Sequence, residues 1–351
     1  MSARSRQSTE QLKAEIAFRA KLARQHVTGE VLLPDYYTKD EHDRILLERI
    51  ETTRRRMRQL AAAGIRLSPF LELGAERGQR SLVLVNEFGA QGVAADISYH
   101  QLRAMEHFAE LFELPRLALR VCCDANRLPF RGGAFPFVFC YQFLHHFPSL
   151  EPILAEIRRV MGGGYFLFAE EPYRRALRVR LYRGVKPYSA RARGRNRYLR
   201  LLESFVSAET SDEMDHGVVE NDDISLSEWA TALAAFDGHD SELRSMYDLR
   251  SSLDRSPGPR NAVNWLLGGT VTGLCRSSAA GAPGTSADVI GLLRCPVCVA
   301  GTGPHVGDAS LVTAGDAMTC TSCGNRYPIR EGIIFLIPPG QLAELYPEVG
   351  R

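Results

Sequence analysis

Two cysteine pairs offer the plainest chemistry in this 351-residue chain: Cys295-Pro-Val-Cys298 and Cys320-Thr-Ser-Cys323, with 21 residues between them. Two such knuckles present four thiolates tetrahedrally to one zinc ion, and a segment too small for a large core would draw much of its folding energy from that metal. Cys122, Cys123, Cys140 and Cys275 are scattered, and the first two read as small buried hydrophobes. A second pattern is Phe70-Leu-Glu-Leu-Gly74-Ala-Glu-Arg-Gly78-Gln79, an apolar run before a glycine-containing turn that opens a helix. Glycine lets backbone approach a ligand closely, and a helix N-terminus offers unpaired N–H groups. Asp96 ends the next apolar run, where a carboxylate accepts both hydroxyls of a ribose. His145 and His146 follow a fourth apolar run, and His216 and Glu220 lie further on; a histidine near a proton-bearing nucleophile serves as general base. The plainer reading of each histidine is a surface or helix-start hydrogen bonder. Glu170 and Glu171 end the fifth run, suited to substrate contact or to capping the next helix.

The elements that must position these groups are legible as alternation. Short apolar runs at Phe70–Leu73, Gly92–Ala95, Ala118–Cys122, Phe137–Tyr141 and Tyr165–Ala169 alternate with helical stretches at about 78–88, 99–112 and 150–160, which predicts a parallel sheet with crossover helices. Runs such as PFVFCY and YFLFA are apolar throughout, as strands buried on both faces are. Upstream, Ser8-Thr-Glu-Gln11 forms a capping box for a helix to about Gln25, and a second helix spans about Lys39–Ala63. Its Arg54-Arg55-Arg56 triplet reads as a solvated face. Residues 173–200 hold 11 Arg or Lys, no acid, and interleaved tyrosines; the acidic ETSDEMDHGVVENDD follows, then a helix that Ser225 or Ser227 caps. Further strands are expected near Leu243–Leu249 and Thr270–Leu274. The predicted organisation is a helical extension at 1–63, a main domain at 64–275 with a lid at 173–223, a linker at 276–287 of small residues, and a cysteine module at 288–340.

Five of these motifs, in this order, resemble the class I, S-adenosylmethionine-dependent methyltransferases (type 11-like) over residues 68–172. The resemblance implies an α/β fold: an open, doubly wound, mostly parallel Rossmann-like sheet with an inserted lid. It implies S-adenosylmethionine as cofactor, with the glycine-rich turn at Glu72, Gly74 and Gly78, the ribose acid at Asp96 followed by Ile97, and the adenine-side acid at Asp124 with Ala125. Segment GGAFPFVFCYQFLHHF, with Tyr141, resembles the strand and loop that close over the methionine end. The middle of the turn, usually glycine, is Glu76 here. Residues 289–338, with Tyr327-Pro-Ile-Arg-Glu-Gly-Ile333, resemble the small zinc-ribbon family of activator subunits of tRNA and protein methyltransferases, which implies structural zinc and a scaffold role.

Composition sets the bounds on partners. Hydrophobic residues at 45% and charged residues at 24% describe a globular chain, and 43 Lys+Arg against 41 Asp+Glu favours neither nucleic acid nor membrane for the whole molecule. No apolar run is long enough to span a bilayer, and the first residues carry no signal-peptide core, so a cytoplasmic location is expected. The expected acceptor is a small molecule, glycan or lipid-linked intermediate. RNA is the alternative, through the basic 173–200 stretch. A non-catalytic binding module is the third reading, motivated by Glu76.

Overall fold

The computed structural model describes residues 8–28, 39–174, 176, 182–185, 207–210, 212–245, 248–253, 259–278, 288–299 and 309–349. In chain order the first elements are α1 (Thr9–Thr28), α2 (Lys39–Ala62), β1 (Phe70–Leu73), α3 (Gln79–Glu87), β2 (Gly92–Asp96), α4 (Tyr99–Leu111), β3 (Leu119–Cys122), β4 (Phe135–Tyr141), α5 (Leu150–Val160) and β5 (Met161–Tyr173). There follow β6 (Tyr182–Val185), β7 (Ser207–Thr210), α6 (Asp212–Asp215), α7 (Leu226–Leu233), β8 (Gly238–Ser245), β9 (Arg250–Ser252), α8 (Pro259–Leu267) and β10 (Gly269–Ser277). The C-terminal elements are α9 (Pro296–Val299), β11 (Leu311–Ala314), β12 (Ala317–Cys320), β13 (Arg326–Arg330), β14 (Ile333–Phe335) and α10 (Pro339–Leu345).

Local chemistry accounts for the helix starts. Ser8 and Gln11 exchange bonds across the first turn of α1, the Ser8 amide donating to Gln11 Oε1 at 2.7 Å and the Gln11 amide to Ser8 Oγ at 3.3 Å. Ser225 and Glu228 make the same reciprocal cap on α7. In α5 the buried positions Ile153, Leu154, Ile157 and Val160 recur at helical spacing, while Glu151 at its start and Arg158 and Arg159 at its end suit the helix dipole.

Strands β3-β2-β1-β4-β5 are parallel and buried, with helices on both faces. Leu71, Leu73, Val93 and Val138 join α5 and α7 in one core; Phe70, Phe137, Phe139 and Leu167 join α1, α3 and α4 in the other. Trp229 of α7 stacks on Phe168 at 5.2 Å between centroids and 5° between planes, and both are fully buried. Truncating such an aromatic costs about 3–5 kcal/mol.

The sheet is larger and more mixed than the alternation predicts. β10 enters antiparallel between β5 and β8, and β9 pairs antiparallel with β8. On the opposite flank β14 pairs in parallel with β3, Ile334 opposite Val121, and the antiparallel β13, β12 and β11 continue outward. The result is a 12-stranded sheet in which the pairings outside the central strands are mainly antiparallel, through β10, β8 and β9 on one flank and the hairpins of the cysteine module on the other. The expectation of a mostly parallel sheet therefore holds only for its centre. The strand expected near Leu243–Leu249 starts at Gly238 and stops at Ser245, ahead of Asp248 in a left-handed conformation. Arg276 and Ser277 close β10 rather than open a linker, while 279–287 and most of the 173–200 stretch lie outside the described residues.

α1 packs on α4 and α10, and α2 on α3, so both N-terminal helices border the carboxyl edge of the parallel strands. Among the described residues no helix is long and apolar enough to cross a membrane.

Candidate active site

At that edge lies a cavity of about 1410 Å³. Gly74 starts the turn after β1 at φ 62°, with the ring of Phe143 2.5 Å from where a Cβ would stand, so both conformation and space require glycine. Gly78 is equally constrained, but by Met105 of α4, and it does not line the cavity. The Glu76 amide donates to Asp96 Oδ2 at 2.8 Å and the Ser98 amide to Oδ1 at 2.7 Å. The carboxylate that ends β2 is thus fixed by backbone on both oxygens and keeps lone pairs for a ligand. Burial pushes its pKa up to about 6, against the two amides.

Asp124 caps the turn after β3: its Oδ1 accepts from the amide and side chain of Asn126 at 2.8 and 2.9 Å, and its Oδ2 from Gln341 of α10 at 3.4 Å. Tyr346, just after α10, donates to the Ile97 carbonyl at 2.6 Å and accepts from the Tyr99 amide at 3.0 Å. The C-terminal helix therefore braces the loop that carries Asp96 and Ile97. Cys122 and Cys123 are buried thiols whose pKa values burial drives up, as inert packing residues require.

Glu72 lies beneath the turn rather than in the cavity. Its Oε2 accepts from the amide and hydroxyl of Ser81, and burial raises its pKa to about 7 despite Arg80 nearby. Its place is in bracing the turn, whereas the resemblance had put it on the cofactor. Glu76 lines the cavity, but its carboxylate is met by Arg19 and Arg77, each at 3.6 Å. Burial opposes ionisation there, yet the charges of Arg77, Arg19, Arg49 and Arg80 hold the carboxyl well below its usual range. Arg19 also meets Glu15 at 2.7 Å and Glu213 at 3.3 Å, which ties α1 to α6 and to the turn. Glu213, in the acidic stretch, is thus partnered by α1.

The two histidines after β4 differ. His145 Nδ1 lies 2.9 Å from Glu171 Oε2, and the same carboxylate accepts the amides of Phe143, Leu144 and His145 at 2.7, 2.9 and 3.2 Å. Burial works against charge on both partners. Their mutual bond and charge prevail, raising the His145 pKa and lowering that of Glu171. A proton on Nδ1 facing a carboxylate leaves Nε2 as the basic nitrogen, and His145 lines the cavity. His146 is engaged on both nitrogens: Nδ1 faces the Val219 carbonyl at 2.9 Å and Nε2 faces Arg19 at 3.3 Å. Burial foremost, then the neighbouring His145, keeps its pKa low, so it reads as a neutral structural ring. His216 is exposed, packs on Phe18 and lies outside the cavity, which removes it from the candidate bases.

Gly74, Asp96, Ile97, Asp124, Ala125, Tyr141, His145 and His146 are thus brought to one cavity; Glu72, Gly78 and His216 are not. Glu220 reaches it too. Sequence reasoning passed over Arg19, Arg80, Gln341 and Tyr346, none of which sits in a spaced motif.

Far along the sheet, the Sγ atoms of Cys295, Cys298, Cys320 and Cys323 all lie within 4.8 Å of one another. Cys295 and Cys323 are 3.6 Å apart and Cys298 and Cys320 3.9 Å, close to the roughly 3.8 Å edge of a tetrahedron with 2.3 Å metal–sulfur bonds. The amides of Ser322 and Cys323 point at Cys320 Sγ and the Tyr327 hydroxyl at Cys295 Sγ, so the donor set suits a closed structural metal site.

These features define an α/β protein with a cavity at the carboxyl edge of parallel strands, lined by a backbone-held carboxylate and an oriented histidine. Residues 71–168 match the family model described as a methyltransferase domain, which supports S-adenosylmethionine-dependent methyl transfer by this part of the chain. Among solved structures it is similar to geranyl diphosphate C-methyltransferase from Streptomyces coelicolor A3(2) in complex with S-adenosyl-L-homocysteine, at 13% identity, covering 60% of this chain and 69% of that one, TM-score 0.36. It is also similar to the YcgJ protein of Bacillus subtilis, at 14% identity, 65% and 99% coverage, TM-score 0.37. A third likeness is to the complex of the Haloferax volcanii Trm112 methyltransferase activator with a methyltransferase, at 16% identity, 66% and 94% coverage, TM-score 0.37. Such values say nothing about substrate.

Proposed function

We propose that the chain methylates a proton-bearing small-molecule, glycan or lipid-linked acceptor, with His145 as general base and Glu171 as the residue that orients it. The observation that carries this reading is the 2.9 Å contact from His145 Nδ1 to Glu171 Oε2 on the cavity that Asp96 also lines. When bound, S-adenosylmethionine supplies a methyl carbon already activated by a sulfonium, so the protein's task is alignment and proton removal. Asp96 would hold the ribose hydroxyls. Ile97, Asp124 and Ala125 would border the adenine, and Gly74 and Tyr141 the methionine end. His145 Nε2 would take the acceptor's proton as the methyl group leaves the sulfonium sulfur, with S-adenosylhomocysteine as the leaving group, and the Glu171 carboxylate would stabilise the imidazolium. Glu76 does not obstruct this arrangement, because its amide serves Asp96 and its carboxylate is neutralised by arginines.

Cys295, Cys298, Cys320 and Cys323 would hold one structural zinc, with the module acting as scaffold for β3 and the Asp96–Tyr99 loop. Elemental analysis should return one zinc per chain. The test of the activity is calorimetric titration with S-adenosylhomocysteine, followed by transfer of a labelled methyl group from the cofactor to a metabolite extract. Binding at micromolar concentrations with label appearing in a small product is expected; a protein that does not bind the cofactor product would end the reading.

A further inference from the structure

α2 turns a run of cations into the cavity. Arg49, Thr52, Arg56 and Gln59 recur at helical spacing along its lining face, with Arg55 at the rim. Arg54, next in sequence, faces away and pairs with Glu51 and Glu87. Among the described residues, no carboxylate lies within ion-pair distance of Arg49, Arg55 or Arg56. Arg80 adds a fourth cation from α3: its guanidinium lies 3.8 Å above the Tyr141 ring, it is 6% exposed, and its buried Nε has no hydrogen-bond partner. The carboxylate within reach of Arg80, Glu72 at 3.9 Å, is shared with Ser81. Arg56, Arg80 and Tyr141 line the same cavity.

Elsewhere the cavity's cations are already matched. Arg244 meets Asp248 at 2.6 Å, Arg250 meets Glu242 at 3.5 Å, and Arg19 is surrounded by acids. Among the described residues, the cavity's arginines without a carboxylate at ion-pair distance are therefore Arg49, Arg55 and Arg56, all on α2, with Arg80 sharing Glu72 beside them. The cofactor cannot balance it, since its one carboxylate is outweighed by its own ammonium and sulfonium. A partly buried cation with no counter-ion is unfavourable unless a ligand supplies one.

Resting on the methyltransferase reading, we propose that the acceptor is an oxyanion: a phosphate- or carboxylate-bearing small molecule whose negative group is gripped by Arg56 and Arg80 beside Tyr141, flanked by Arg49 and Arg55. The guanidinium fork matches either group in bidentate geometry. Seizing the acceptor by its charged end leaves its reacting hydroxyl or amine to be presented to His145. An enclosed wall with a buried Arg80 favours a small anion over a polynucleotide, whose backbone would contact an open face.

The probes are inorganic pyrophosphate and citrate, titrated calorimetrically into the full chain with and without saturating S-adenosylhomocysteine. At low ionic strength at least one should bind below about 1 mM in the presence of the cofactor product. The better of the two tells phosphate from carboxylate. Arg56→Gln should weaken that binding at least tenfold, and Arg54→Gln should retain it, with thermal melts confirming that both fold. Binding of neither anion by a protein that binds S-adenosylhomocysteine overturns the proposal. So does competition between anion and S-adenosylhomocysteine, which would assign the arginines to the cofactor's carboxylate. Preference for a single-stranded RNA oligonucleotide, lost in Arg55→Gln, overturns it in favour of nucleic acid. Failure to bind S-adenosylhomocysteine strikes the methyltransferase reading alone, because anion binding is also measured without it.

Discussion

The two walls of the cavity are built on different plans. The wall proposed for the cofactor is backbone architecture: Asp96 is held by the amides of Glu76 and Ser98, Asp124 by that of Asn126, and Gly74 by a conformation that leaves no room for a side chain. The wall proposed for the acceptor is assembled from side chains on α1, α2, the β4 and β5 ends and the segment around α6: Arg19 paired with Glu213, His145 paired with Glu171, and Arg56 of α2. The first plan fixes one ligand rigidly. The second can be altered residue by residue without disturbing the strands beneath it, which is how one sheet serves different acceptors.

That division is exposed to test by substitutions on either wall. The largest effect is expected from His145→Ala, which should lower turnover about 100- to 10,000-fold while leaving S-adenosylhomocysteine affinity nearly intact. An equal loss of cofactor affinity would erase the distinction between the walls. Asp96→Ala should do the converse and weaken S-adenosylhomocysteine about 100-fold, since two charge-assisted bonds to the ribose disappear with the melting profile preserved. Unchanged affinity in calorimetry would mean that the ribose lies elsewhere.

Glu171→Gln sharpens the comparison through pH. The raised pKa of His145 comes from the bond and charge of Glu171 overcoming burial, so the base is protonated and idle at low pH and becomes active as pH rises through that pKa. Removing the carboxylate charge lowers the pKa, and the acid limb of the rate profile should move to lower pH, with a drop of about tenfold in the plateau from poorer orientation. A limb that stays in place would remove His145 from the proton path. The smallest effect belongs to Tyr346→Phe. The two hydrogen bonds of its hydroxyl are lost from the loop rather than from the ligand, which should weaken S-adenosylhomocysteine about fivefold with no change in the pH profile.

The wall of Gly74 and Asp96 was legible in the sequence as a turn and an acid because its parts are close along the chain: turn, strand and acid fall within Phe70–Asp96, and each carries a local signature. The acceptor wall was not. Arg54-Arg55-Arg56 reads as a solvated face, yet three consecutive helical residues spread over roughly 200° of arc. One of them finds Glu87 and two find the cavity, which depends on how α2 docks against α3. His145 and His146 are indistinguishable in LHHF; only the arrival of Glu171 at one ring and Arg19 at the other separates them. Tyr346 reaches Ile97 from 249 positions away, with no periodicity to announce it. The mixed sheet was missed for a related reason. A three-residue strand such as Ile333–Phe335 has too short a pattern to name its partner.

The seam between β14 and β3 has a consequence for expression of shortened forms of this protein. Ending the chain before Asp288 would strip Leu119–Cys122 of its outer neighbour and leave a bare row of amides and carbonyls at the rim, an invitation to intermolecular strand pairing. The same cut would deprive the Ile97 carbonyl of the Tyr346 hydroxyl and Arg120 of the Glu331 carbonyl. The fragment that the alternating motifs outline should therefore be recovered as aggregate, with the tail acting as its outer flank.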